Sequence, residues 1–277
     1  MTVKKRVVPA LALFAIGFVM VIVSVGSHLG DYARSVFVHV DNPASYSFAT
    51  FDKVLSQCVK DDRVDYKEVA KSKELQQAVD ELAHIGPDRM VAPADRLCFW
   101  LNSYNLLTLK LIADRYPITS IRQLGQDTSF KRFIVGGKQL SLSDIYLNRI
   151  LPMVGSVEPK AIFLMCGGSL GYPSLQDHAV QPEHLSGDAE AAAYKFLNDP
   201  ANVYFDFEAN TFYLSPFLEW NRVLFDKQYG SVFAFANRYL PAEKQANLQR
   251  VSTLTSFRPT FNWQLNDVAP IKESKAK

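Results

Sequence analysis

Leu97-Cys98-Phe99-Trp100-Leu101-Asn102-Ser103-Tyr104-Asn105 lies inside a segment bounded by Pro93 and Pro117. Proline fits the first turn of a helix and cannot continue one, so the two prolines frame a helix over residues 94–116. Residues 97–101 are apolar in unbroken succession, which leaves no polar face there and predicts burial on every side. Asn102 and Asn105 sit one turn apart and share a face of that buried helix. A buried amide left unpaired costs about 1–3 kcal/mol, so both must find partners. Two roles meet that demand: lining a pocket to orient a ligand or a thiol, or clamping the backbone of a neighbouring loop.

Upstream, Phe48, Phe51, Val54, Leu55 and Cys58 follow helical spacing, with Ser47 where an N-cap belongs. A turn at Asp61 and Asp62 leads to a polar helix over residues 71–84. Downstream, residues 130–135 read as a strand, and Gly136 and Gly137 as a hairpin turn into residues 138–140. Ser141 and Asp144 form a capping-box pattern for a helix ending before Pro152. The apolar run 161–166 has the pattern of a central strand and empties into the loop Gly167-Gly168-Ser169-Leu170-Gly171-Tyr172-Pro173. A helix over 187–198 follows, then a hairpin of 203–207 and 211–214 turning at Ala209 and Asn210. Helices over 216–225, 231–239 and 242–251 come next, with an aromatic extended piece at 257–265. No internal repeat is present. The pattern predicts one mixed α/β (α+β) globular domain over residues 47–266, with a central sheet and a buried helix, followed by a charged tail at 267–277.

Residues 1–26 differ from all of this. Lys4, Lys5 and Arg6 precede twenty residues, 7–26, without a charged side chain. At 1.5 Å per residue such a helix spans about 30 Å, the thickness of a bilayer's hydrocarbon core. The basic cluster belongs on the cytoplasmic side, which puts the remainder across the membrane. The expectation is a single-pass inner-membrane anchor at 1–26, a tether at 27–46 and a periplasmic or otherwise extracytoplasmic domain. The other reading is a signal peptide cleaved near Gly26, after the small pair Ser24 and Gly26, which gives a secreted or periplasmic protein; the apolar run is long for that.

The whole chain has 277 residues, is 48% hydrophobic and carries a formal charge of +2. Without the three basic residues before Val7, 27 basic residues face 28 acidic ones, a formal charge of −1. So even a balance excludes an electrostatic footprint for nucleic acid. Three cysteines are too few for a disulfide-stapled scaffold, and the absence of any C-x-x-C removes thioredoxin-like and zinc-ribbon readings. Whether Cys58, Cys98 and Cys166 pair is left open by the sequence. Asp177, His178, Glu183 and His184 are a local group of metal-ligand types, but without metal-site spacing, so neither a metal nor a cofactor is expected.

Four segments together resemble the bacterial and plant family DUF547, a domain of unknown function. Phe99-Trp100-Leu101-Asn102-Ser103-Tyr104-Asn105 is similar to the family's F-W-hydrophobic-N-x-Y-N helix. Val135-Gly136-Gly137 with Ser141-Leu142-Ser143-Asp144-Ile145 resembles its V-x-G, S-L-x-D-I segment. The run ending at Cys166 and its loop to Pro173 resemble a strand–cysteine–small-residue loop–proline stretch. Phe261-Asn262-Trp263-Gln264-Leu265-Asn266 is similar to its Y-D-W-x-L-N ending. The resemblance spans roughly residues 48–266 and implies exported or membrane-anchored relatives. It also exposes departures. The family pattern implies a histidine where Ala161 or Ile162 stands, a second cysteine at Tyr172 and a glutamate at Tyr146.

Cys166 is the sharpest catalytic candidate, with His178 and His184 as bases and the N–H groups of Gly167 and Gly168 toward an oxyanion. The ordinary role of a strand-end cysteine is core packing, and that reading is preferred. Asn102, Tyr104, Asn105, Gly167, Gly168 and Ser169 are the candidate binding residues. The leading functional expectation is a tethered domain that binds an envelope peptide, glycan or protein partner. The alternative is a thiol-dependent hydrolase or acyl transferase using Cys166.

Overall fold

The computed structural model describes residues 38–206, 208–242, 245 and 254–269. Within it the framed helix runs Pro93–Ala113, with Pro93 in its first turn and residues 97–103 all buried. It forms the axis of the fold. The helix Lys73–His84 packs along it and is capped by Ser72, whose hydroxyl accepts from the Leu75 N–H. The first helix runs Ala49–Cys58, but Ser47 is not its cap. Phe48 takes that place in a left-handed conformation, φ 54°, with its ring buried against Phe51 and Phe99. Burial of an aromatic ring outweighs a capping hydrogen bond here.

Turn chemistry was transparent. Val59–Lys60 and Arg63–Val64 form a hairpin across Asp61 and Asp62, both at positive φ. Phe133–Val135 pairs with Lys138–Leu140 across Gly136 and Gly137, also at positive φ. A Cβ on Gly136 would meet the Gly86 backbone at 2.8 Å, so this hairpin docks tightly on the end of the Lys73–His84 helix. Val203–Asp206 pairs with Thr211–Leu214, which pairs in parallel with Leu254–Phe257.

Among the described residues the sheets are small, two of two strands and one of three, in a fold that is mainly helical. The expected central sheet is not among them. Its candidate strand, 161–166, is instead a 3₁₀ helix, Pro159–Leu164, packed against the helix Leu185–Asn198. An unbroken apolar run looks alike in a buried strand and a buried helix. Pro159 fixes the first turn and the Glu158 carboxylate accepts from the Lys160 N–H, which tips the balance to helix. Phe163 then anchors an aromatic core formed with Phe196, Phe217 and Phe225.

Two helices also differ from expectation. The one opened by the Ser141–Asp144 capping box does not stop before Pro152. It passes through a π-helical turn, Tyr146–Ile150, into Leu151–Val154. The wider turn accommodates the proline, which brings no N–H to the ladder. Residues 216–225 divide into Pro216–Trp220 and Arg222–Tyr229 at Asn221, whose side chain bonds the Phe217 carbonyl and the Tyr146 hydroxyl.

The aromatic extended piece works as a lace. Leu265 N–H donates to Thr119, and Ile121 N–H to Trp263. Leu170 and Gly171 donate to Gln264 and Asn262, Asn266 N–H to Gly168, and Val64 N–H to Asn266. One chain end thus ties three loops together. Residues 39–42 likewise run beside His84 and Gly86, with Asp41 exchanging backbone bonds with both. Residues 1–37, most of the helix expected at 242–251, and 270–277 lie outside the described residues. No helix among the described residues is long and apolar enough to cross a membrane.

Candidate functional site

Asn105 stands at the centre of the motif and both ends of its amide are used. Its Nδ2 donates to the Leu164 carbonyl at 2.8 Å, and its Oδ1 accepts from the Cys166 N–H at 2.9 Å. Those are the backbone groups a partner strand would otherwise take, so a side chain here replaces a sheet. Asn102 treats Val180 identically, donating to its carbonyl and accepting from its N–H, both at 2.9 Å. Of the two roles open to these amides, the geometry shows the clamp.

The clamp delivers Cys166 to the start of the glycine-rich loop with its side chain sealed, 1% exposed. Its Sγ accepts from the Gly168 N–H at 3.4 Å and from Asn266 Nδ2 at 3.7 Å. The Asn266 Oδ1 in turn accepts from the buried Tyr66 hydroxyl at 2.8 Å. Burial drives the thiol pKa up, and the two N–H donors only partly offset it. Neither partner is a base. Among the described residues no imidazole hydrogen-bonds the sulfur.

His178 is occupied elsewhere. Its ring bonds Asp177 at 2.7 Å and faces Asp188 at 3.5 Å. Burial lowers its pKa, and the two carboxylates raise it by more, for a net upward shift. His184 is exposed at the start of the Leu185–Asn198 helix, and its side chain makes no cap there. The Gly168 N–H, a candidate oxyanion donor, is the one that bonds the sulfur. Gly168 has φ +77°, and a Cβ there would meet Ile112 Cδ1 at 2.4 Å. At Gly167 a Cβ would meet the Tyr172 ring, also at 2.4 Å, so that ring lies flush against the loop. All three cysteines are free and buried.

Two positions that depart from the family pattern converge here. Tyr146, Tyr172 and Cys166 all act electrostatically on the half-buried Tyr104. Burial raises the pKa of each phenol, that of Tyr172 to about 12. The neighbourhood of the thiol is aromatic and uncharged.

The open space lies on the other side of the loop. A cleft of about 590 Å³ is walled by Arg63, Ser169, Tyr172, Asn202 and Asn266. It shares Arg63, Leu170, Asp199 and Asn202 with a second cavity of about 550 Å³. That one shares Pro216, Thr260 and Phe261 with a third, where Trp220 and Trp263 stand. Together they form one groove. Ser169 is the only candidate binding residue on its wall; Asn102 and Asn105 lie behind it in the core. Sequence reasoning gave no role to Tyr66 or Arg63, and it read Trp220 first as a core aromatic, with an aromatic-lined groove for peptide or sugar as the other possibility; the indole is 47% exposed. Asn266 carried a signal, since it closes the C-terminal motif.

Residues 88–197 match the family model DUF547, a protein of unknown function. The match takes in the Asn102–Asn105 helix motif, the Gly136–Gly137 hairpin and the Cys166 loop, but not the 261–266 ending. No curated protein and no solved structure matches the chain.

Proposed function

We propose that this chain is a membrane-tethered, extracytoplasmic binding domain that holds an envelope peptide, glycan or protein partner in the groove along the 169–172 loop, without chemical turnover at Cys166. The sealed thiol carries this reading. A cysteine nucleophile needs a depressed pKa and a base within hydrogen-bond reach. Cys166 has a raised pKa and only N–H donors at its sulfur. The groove has the opposite character: open, about 590 Å³ at one end, and lined by polar side chains with aromatic rings at the far end. Binding sites of this size are concave, with a few convergent polar groups. Membrane tethering rests on the apolar run 7–26 and its basic flank.

Three experiments test the reading. Reporter fusions at Lys277 are expected to be active outside the cytoplasm, and a C-terminus retained inside the cell overturns the topology. A photoreactive benzoylphenylalanine at Thr260, on the groove wall, is expected to form an adduct in cells expressing the full chain. The same group at Gln76, on a distant helix, is not. Equal yields at both sites, or none at Thr260, overturn the groove assignment. Steady turnover of any ester, amide or thioester substrate that disappears in Cys166→Ala overturns the non-catalytic part.

A further inference from the structure

We infer that the groove's ligand is a neutral oligosaccharide. This inference rests on the binding-domain reading and narrows it to a chemical class. A sugar chain presents two surfaces at once: flat C–H faces that lie against aromatic rings, and a rim of hydroxyls that each donate and accept.

The groove offers both. At its far end Trp220, Phe261 and Trp263 form a cluster, with ring centroids 4.8 Å apart for Trp220 and Phe261 and 4.5 Å for Phe261 and Trp263. The Arg122 guanidinium sits 5.1 Å from the Trp263 centroid and occupies that ring. Trp220 is left 47% exposed beside the open cavity. An indole that open forgoes a large share of the burial energy its ring could contribute, and a flat apolar face would cover it.

The near end is rich in hydroxyls and amides: Ser169, Ser174, Gln176, Asn202 and Asn266 all line it. Ser169 is 1% exposed and its Oγ has no hydrogen-bond partner. A hydroxyl buried without a partner costs about 1–3 kcal/mol, and the serine χ1 torsion is the one freedom needed to turn it toward a ligand in the cleft. A hydroxylic ligand suits it because the serine can either donate or accept.

Charge decides against an anionic polymer. Of the cations on the walls, Lys195 is paired with Asp62 and Arg258 bonds the Ala201 carbonyl over the Tyr204 ring. Arg63 and Arg122 are the other two, and the four cations face four carboxylates, Asp61, Asp62, Asp199 and Glu219. A polyanion would need a basic excess that these walls do not have.

The test titrates the full chain, in a detergent without a sugar headgroup, with neutral tetrasaccharides of glucose, galactose, mannose and N-acetylglucosamine, and with tetra-alanine as the peptide probe. Tryptophan fluorescence reads the groove directly, since of the three tryptophans only Trp100 is buried. At least one tetrasaccharide is expected to give a saturable change. Trp220→Ala is expected to weaken it about tenfold or more. Ser169→Ala is expected to weaken it about two- to tenfold without lowering the unfolding midpoint, because no bond within the protein is lost. No saturable response to any sugar, or one indifferent to both variants, overturns the inference. A response to tetra-alanine alone does so too, and so does a sugar failure while the Thr260 adduct persists; both leave the binding-domain reading standing. Failure of sugar, peptide and adduct together removes that reading as well.

Discussion

Replacing Asn105 with leucine cuts the clamp that substitutes for a sheet. The side chain fits a buried apolar helix, so the damage is confined to the two backbone groups it leaves behind: the Leu164 carbonyl and the Cys166 N–H. Each is buried, and an orphaned buried polar group costs about 1–3 kcal/mol, so the pair should cost about 2–6 kcal/mol. Total stabilities of domains are about 5–15 kcal/mol, which makes this a severe lesion for one side chain. Asn105→Asp keeps the acceptor for Cys166 and loses the donor to Leu164, at the further expense of a buried charge. Equilibrium urea unfolding followed by far-ultraviolet circular dichroism reads the loss, because the fold is mainly helical. A second readout is local. With its N–H released, Cys166 should react with iodoacetamide below the unfolding midpoint, where the unaltered protein does not. A loss under about 1 kcal/mol with an unchanged denaturant slope would refute the clamp argument, and so would an equal loss from Gln76→Leu on the exposed face of the Lys73–His84 helix.

Three further outcomes follow from the same geometry. In the folded protein at neutral pH iodoacetamide should label none of Cys58, Cys98 and Cys166, since burial raises all three pKa values, to about 11 for Cys58 and about 12 for Cys98; peptide mass spectrometry with and without urea checks it, and a Cys166 adduct in native protein would contradict the sealed site. Gly168→Ala should destabilise by at least about 1 kcal/mol, measured by the same urea unfolding, because it places a Cβ at positive φ and 2.4 Å from Ile112. His178 has its folded pKa raised above the ordinary value of about 6.5, so it adds stability at low pH that disappears as pH rises through the folded value; His178→Ala should flatten the pH dependence of unfolding in that window and leave it unchanged at higher pH.

Much of the fold was legible because its signals are local. Pro93 and Pro117 framed the buried helix, paired residues at positive φ marked the hairpins, and Ser141 with Asp144 announced a helix start. What escaped is non-local. Nothing in 161–166 says that its backbone partners come from the side chain of Asn105, 59 and 61 positions away in sequence, so an apolar run was read as a strand. Ser47 lost the cap to Phe48 because a ring found a core that only the folded chain provides. The 257–265 segment was recognised as extended, but its function as a lace across the 119–121, 168–171 and 64 loops depends on contacts that alternation cannot encode. The candidate site divides the same way. Asn102 and Asn105 were found as polar residues in an apolar helix and Ser169 as part of the glycine-rich loop, whereas the groove that Ser169 lines is made by loops distant from one another in the chain.

The departures from the family pattern acquire a physical meaning once their surroundings are known. A thiol becomes a nucleophile when something nearby takes its proton or stabilises its charge. At Tyr146 and Tyr172 the chain instead carries phenols whose own pKa values are raised by burial, and such groups accept no proton at neutral pH. The Tyr172 ring also lies on Gly167, the residue that follows Cys166, and Tyr172 is among the residues that line the cleft. One residue thus covers the loop at Gly167 and contributes to the cleft wall. The loop that in an enzyme would expose a cysteine here presents Ser169, Leu170 and Tyr172 to the groove and keeps its sulfur in the core. On the proposed reading, a ligand held in the groove meets Ser169, Leu170 and Tyr172 while the Cys166 sulfur stays on the far side of the loop.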